Sequence, residues 1–510
     1  MARSAVSINL GQGGLGQAAL NTDSYSGLQL YGTAPGSFAT TACQPVYSLE
    51  DAVNKGISND YSDETPATGS YLITTKGNTG DTVLLSVVEP NPNGVSTTVG
   101  LGTYTVGSSE STIALQGAAW AVIINAGTYS HGYSASFTTA TLTVTARKGL
   151  GIALNSGTPI VTTFNAGTGF AGTITQFSGG VYSKKAVWYY TISEFFRANA
   201  STKLWVQFTA TVGSTYSELL TLQSTAKGEC KRIGVLNLTA RTAANVTADG
   251  SLLQAIATTL RGLFTPAEFI YAPNIKAISN VSTLQNQQGQ TNKDVAVVIM
   301  QDGNATGAQL YVNSGVSIPA LGCVLGTSSA AAVSQDIGEI GAFNITNGVE
   351  LAVPAFTTGE LASSLSASVL DQLDAYRYIF ATNLSNYSGT YINNDWTCIA
   401  QTSDYNRLCR NLVINKASVG IYTGVLPLLK SRLILNADGT LNEVTIQQFL
   451  TAAGTPVGQM QKDGDVSAYE VTVDPTQDVL STNKIIVAVK IVPVGIADFI
   501  QINLGFAVKI

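Results

Sequence analysis

Arg232-Ile-Gly-Val-Leu-Asn-Leu238 is an apolar run too short for a stable helix and long enough for a strand, and its surroundings repeat the theme. Before it, Ile192 to Asn199 reads as helical and Leu204 to Phe208 as a strand. After it come a helical pattern, Leu252 to Phe264, and two more apolar runs, Glu268 to Ala272 and Asp294 to Met300. Runs without period-two alternation belong to strands covered on both faces. Strands alternating with helices imply an α/β layer on a mainly parallel sheet, so residues 181–357 are expected to form an α/β middle domain.

Outward from this body the texture changes. Residues 69–180 are rich in Gly, Thr, Ser, Val and Tyr, with alternating runs such as Thr82-Val-Leu-Leu-Ser-Val-Val88 and Thr141-Leu-Thr-Val-Thr145. Turn residues such as Asn91-Pro-Asn-Gly94 separate them, which predicts a small β-rich domain; Ala114 to Asn125 reads as one helix within it. Residues 1–68 open with an alternating strand, Ala5 to Leu10, a glycine turn, and a second strand, Gly27-Leu-Gln-Leu-Tyr-Gly32. Leu49 to Gly56 follows Ser48, an N-cap, as a short helix. In residues 358–510 a helix (Leu365 to Ala375), a strand (Tyr378 to Ala381) and a long helix (about Asp404 to Leu429) precede three apolar strand-like runs, 468–473, 484–492 and 498–508. The fold class is therefore α+β or α/β and multidomain.

Composition narrows the function. The chain has 510 residues, room for two to four cores, and 45% apolar residues, yet only 11% are charged, against roughly 25% in an ordinary soluble domain. So uncharged a surface offers little repulsion between copies and favours association. The net charge is −6 without a basic run, so no direct nucleic-acid partner is expected. No segment has the roughly 18 uncharged apolar residues of a membrane span, so no direct membrane insertion is expected. The stretch from Met1 to Leu10 has no continuous apolar core, which predicts no secretory signal and folding in a cytosol. Five cysteines without C-x-x-C spacing read as buried free thiols.

The motifs that suggest catalysis are thin. Gly11-x-Gly13-x-x-Gly16 matches a dinucleotide fingerprint, but no helix opens on its third glycine and Asp23 comes too early for the ribose; a turn between strands accounts for it. The single histidine, His131, lies in the loop-like Tyr129-Ser-His-Gly-Tyr133 without a G-x-S-x-G elbow, and reads as solvated. Asp60, Asp63 and Glu64 read as a polar linker, and Asp336 and Glu339 as surface charges. No enzyme activity, cofactor or metal is expected. One cluster remains, Arg407, Arg410 and Lys416 on the long helix, preceded by an acidic residue in Ser403-Asp-Tyr405 placed to cap it. Arg407 and Arg410 share a face and Lys416 lies off it. A capped amphipathic helix explains the cluster structurally; functionally, it faces an inner tube or a neighbouring subunit.

Several segments together resemble the contractile tail sheath family of phages and contractile injection systems. They are Val6-Ser-Ile-Asn-Leu-Gly-Gln-Gly-Gly-Leu-Gly16 ahead of Gly27-Leu; 321–333 followed by Gly341-Ala-Phe-Asn344; Tyr391-Ile-Asn-Asn-Asp395; Ser403-Asp-Tyr405 with 410–429; and 484–510. Their order and spacing carry the likeness. The resemblance implies a tail-sheath fold, with an α/β body, the β-rich domain as an outer insertion, and a C-terminal sheath domain that donates terminal strands to neighbours. Val6, Ile8 and Leu10 at one end and Ile500, Ile502, Leu504 and Phe506 at the other would be those inter-subunit strands. The implied partners are other copies of the chain in rings around an inner tail tube protein, with baseplate and tail terminator proteins. The implied place is a virion tail assembled in a host bacterial cytoplasm, driving genome ejection. A secreted β-rich adhesion protein explains the Gly/Thr/Ser richness but not the α/β middle; a capsid or tube subunit is the nearest structural alternative.

Overall fold

The structure, a computed structural model, describes residues 22–92, 94–165 and 169–506. The strand and glycine turn expected within residues 5–16, including Val6, Ile8 and Leu10, lie outside the described residues.

Seven strands form the central sheet: β1 (Ser26–Tyr31), β2 (Cys43–Val46), β3 (Leu204–Thr209), β4 (Arg232–Ala240), β5 (Glu268–Asn274), β6 (Val295–Val298) and β7 (Tyr378–Ile379), in the order β7-β6-β5-β4-β1-β3-β2. All neighbours run parallel except the edge strand β2, antiparallel to β3. Leu28 sits between Val206 and Gly234. Burial on both faces explains the near-continuous apolar sequences. The one polar interruption of β1, Gln29, is fully buried and satisfied: its amide donates to the Leu30 carbonyl (3.0 Å) and to the Thr209 hydroxyl, and its carbonyl accepts from Gln207 (3.0 Å).

Helices cover the sheet. α1 (Lys184–Ala198) starts at Ser183, whose hydroxyl accepts from the Ala186 amide, and α2 (Ala243–Gly262) at a Thr242/Asn245 capping box. α2 begins nine residues before the expected Leu252 because that box supplies a strong start. α3 (Leu321–Ala330) crosses α1 so closely that a Cβ at Gly322 would lie 1.8 Å from the Thr191 carbonyl oxygen, and one at Gly326 2.6 Å from that of Phe195. The five cysteines are buried free thiols.

The β-rich insertion has its own core, drawn from residues 67–177. A four-stranded sheet (Ser134–Thr138, Thr141–Thr145, Thr68–Thr75, Ala171–Ser178) and a three-stranded one (Thr97–Thr105, Thr82–Glu89, Ile160–Phe164) pack with the helix Ile113–Ala126. Trp120 is fully buried at the centre, with Tyr71, Tyr104 and Phe170 at ring-centroid distances of 5.3, 6.2 and 5.6 Å. The chain enters and leaves through one antiparallel bridge, Thr65 to Val181.

Beyond the body come α4 (Leu408–Val425), α5 (Glu443–Lys462) and an antiparallel hairpin of β8 (Val466–Val473) and β9 (Val487–Pro493). α4 begins at Leu408 rather than Asp404 and gives way to a 3-10 turn, Leu426–Leu428. α5 was not expected from the sequence. The described part of the third strand-like run is not a strand: in 494–506 the backbone has no regular secondary structure.

Candidate assembly interface

Within the chain, β8 and β9 pair only with each other among the described residues. A two-stranded ribbon is marginal alone and keeps two edges of unpaired backbone groups. From its last strand the chain runs into an arm, 494–506, whose Phe499, Ile500, Ile502, Leu504 and Phe506 are all largely exposed, Leu504 at 95%. Full burial of such a side chain is worth about 1.5–3 kcal/mol. Five of them in eight residues left in water make a contiguous apolar surface of the kind that marks an interaction site.

The root of the arm is tied to the body. Arg407, at the N-cap position of α4, is only 2% exposed and holds three carboxylates. Its Nη1 donates to Asp336 and to Asp395 (3.0 Å); its Nη2 donates to both oxygens of Asp498 in the arm (2.6 and 2.7 Å). Asp395 also accepts from the Cys409 amide (2.9 Å) and so caps α4. The Arg407 guanidinium lies 4.4 Å from the Trp396 ring centroid, and that of Arg377 lies 4.2 Å from the same ring. The Trp396 indole donates to Asp374 (2.9 Å), which also accepts from Asn393 and Asn394. Burial, and then the Asp395 charge, push the Asp336 carboxyl up to about 7. Burial alone would lower the Arg407 pKa, but Asp395, Asp336 and Asp498 more than offset it and raise it.

These contacts correct several sequence expectations. Arg407 is not an exposed, tube-facing charge, because its donors are engaged by carboxylates of its own chain. Asp336 is buried in that hub, not on the surface; its partner is 71 residues away, which no local pattern shows. The acidic residue that caps α4 is Asp395 rather than the one in Ser403-Asp-Tyr405. Lys416 pairs with Asp23 and Asp465 (2.6 Å each). Arg410, half-buried, donates to Asn406 (3.0 Å) and is not part of the Arg407 hub. Of the supposed polar linker, Glu64 is buried and accepts from the Gly149 (2.7 Å) and Gly151 (2.9 Å) amides, while Asp63 accepts from Ser183 and from the Lys185 amide at the start of α1. These carboxylates fasten the insertion and α1 to the body.

The glycine motif lies outside the described residues. The His131 Nδ1 accepts from the Tyr133 amide (3.1 Å), and burial lowers its pKa. Among the described residues no group of three His, Cys, Asp or Glu side chains could hold a metal ion, and no helix is long and apolar enough to cross a membrane. A cleft of about 620 Å³ lies between residues 334–340, Asn393, Asn394 and the arm root 494–498, beside the Arg407 hub.

Three solved structures overlap the chain in part. One is a chain of the anti-feeding prophage (AFP) baseplate, 6-fold symmetrised: 15% identity, 64% of this chain and 82% of that one, TM-score 0.43. The second comes from an extracellular contractile injection system, the PVC sheath complex in the contracted state: 13% identity, 63% and 80% coverage, TM-score 0.41. The third is from the AFP baseplate in the contracted state: 14% identity, 64% and 86% coverage, TM-score 0.40. Comparison with curated proteins gives no match. The N-terminal domain described as DUF2586 matches residues 115–395, from the insertion's helix to the Arg407 ligand Asp395, and the DUF2586 C-terminal domain matches 404–510, from just before α4 through the arm. With more than half of its length matched, the chain belongs to the DUF2586 family.

Proposed function

We propose that this chain is a structural subunit of a contractile tail or contractile injection machine, and within it the sheath subunit that polymerises around an inner tube. The observation that carries the reading is the arm 499–506, apolar and exposed, which among the described residues has no strand partner, beside a ribbon whose two strands pair only with each other there. An open edge accepts an added strand through backbone hydrogen bonds that depend little on side-chain identity. Ile500, Ile502, Leu504 and Phe506 of one copy would lie along the β8/β9 ribbon of another, with Val6, Ile8 and Leu10 giving a second donated strand. Copies joined by exchanged strands stay linked while their bodies rotate as rigid units, which is what contraction of a lattice demands. Arg410, outside the hub, is the basic residue left to face a tube or neighbour. The low charge content and the sequence order of the segments that resemble tail sheaths support the same reading.

Removing residues 499–510 tests it. The truncated chain is expected to remain a folded monomer in sedimentation velocity at concentrations where the full chain polymerises. Polymerisation of the truncated chain at the same rate would sink the strand-exchange reading.

A further inference from the structure

Among the described residues, Asp498 provides the ion pair that ties residues 494–506 to the body, and it lies at the point where the apolar arm begins. The three carboxylates on Arg407 are not equivalent. Asp395 is 1% exposed and has a second role capping α4; Asp336 is mostly buried and accepts from the Gly338 amide (2.7 Å). The Asp498 side chain is 41% exposed, and both of its oxygens accept from Arg407.

This asymmetry decides which bond can open. Losing Asp336 or Asp395 would strand a buried carboxylate, at a cost of several kcal/mol. Losing Asp498 strands nothing, since the guanidinium keeps two buried carboxylates and the departing one moves into water. Three carboxylates on one guanidinium also leave the hub with excess negative charge. Arg377, over the same Trp396 ring, has its pKa lowered by burial despite the Asp374 charge, and the Cys409 thiol, raised well above its usual pKa by burial and by Asp395, stays neutral.

We propose that Arg407 is a latch for the C-terminal arm, holding Asp498 so that 499–506 leave the unassembled body in one direction, and releasing it when another copy takes up the arm. The inference rests on the reading that the arm is donated. In that setting Arg407 and Asp498 are positioning residues: they order the root of the arm before docking, so that part of the ordering cost is met in advance.

Because all five native cysteines are buried, a Gln501→Cys chain can carry one nitroxide on the arm. In the full-length monomer, Asp498→Asn is expected to sharpen the nitroxide spectrum, with the melting temperature within about 4 °C of the parent; Asp498→Glu should largely restore the parent spectrum. Polymerisation of Asp498→Asn is expected to slow by up to roughly fivefold, the worth of one partly exposed pair, without stopping. Equal nitroxide mobility in the parent and Asp498→Asn overturns the latch, as does a fall in melting temperature as large as that of an Arg407 variant, which would make Asp498 a structural member of the hub. If no variant polymerises, parent included, the donated-arm reading fails, whereas the spectra still decide the latch.

Discussion

Replacing Arg407 with Met removes the guanidinium and keeps an unbranched side chain to lie against Trp396. Were Arg407 an exposed charge on the outer face of α4, as its sequence setting suggests, the loss would be about 0.2–1 kcal/mol. The structure gives a different sum. Asp395 and Asp336 would be left buried without their cation, and removal of one member of a buried ion pair costs about 3–5 kcal/mol. The contact with the Trp396 ring adds about 0.5–2 kcal/mol, partly kept by the Met. At about 2–4 °C per kcal/mol for a domain of 150–250 residues, the body's melting transition should fall by about 6–20 °C at pH 8, where Asp336 is ionised. Arg410→Met, which breaks one bond to Asn406, should move it by less than about 3 °C. Scanning fluorimetry on the two variants side by side makes the comparison. A shift below 2 °C for Arg407→Met would refute the buried-hub account.

Further outcomes follow from other contacts. The Asp336 carboxyl is raised from 3.8 to about 7, so between those values the folded chain holds a proton that the unfolded chain has released, and this group's contribution to stability falls as pH rises from about 4 to about 7. Asp336→Asn should flatten that part of the curve in urea unfolding at pH 5 and pH 8; an unchanged difference between the two pH values refutes it. Gly322→Ala should destabilise the body by about 1–3 kcal/mol, because its Cβ would overlap the Thr191 carbonyl; an unchanged unfolding midpoint would show that α1 and α3 can part freely. Replacing residues 66–180 with a short Gly/Ser linker should leave the body folded, since Thr65 and Val181 are already hydrogen-bonded neighbours (2.8 and 3.1 Å). Loss of the body's cooperative melting would show that the insertion belongs to its core.

The body was legible because its strands are buried on both faces and carry their signal locally, as in β3, β4 and β5. The insertion's helix and alternating strands were equally plain, since each is a short-range pattern. α5 was missed although Ile446, Phe449, Ala453, Val457 and Met460 recur at intervals of three and four and are all buried. Gly454, Pro456 and Gly458 look like breakers, and what offsets them is tertiary: α5 crosses α4 where Gly420 and Gly424 have no side chains to hold the backbones apart. The Arg407 hub was unreadable for a related reason. Its carboxylates lie 12, 71 and 91 residues away along the chain, and a basic residue near a helix start looks the same whether it meets water or three acids. Glu64, joined to Gly149 and Gly151 across 85 and 87 residues, was hidden in the same way.

On the proposed reading, the arm of one copy completes the ribbon of another. Electron cryomicroscopy of the assembled protein, at a resolution that traces the backbone, tests it most directly. Hollow cylinders are expected, in which residues 499–506 form an added strand on the edge of the β8/β9 ribbon of a different copy. Cylinders in which the arm folds back onto its own body, or an assembly in which every ribbon keeps only its own two strands, would contradict it.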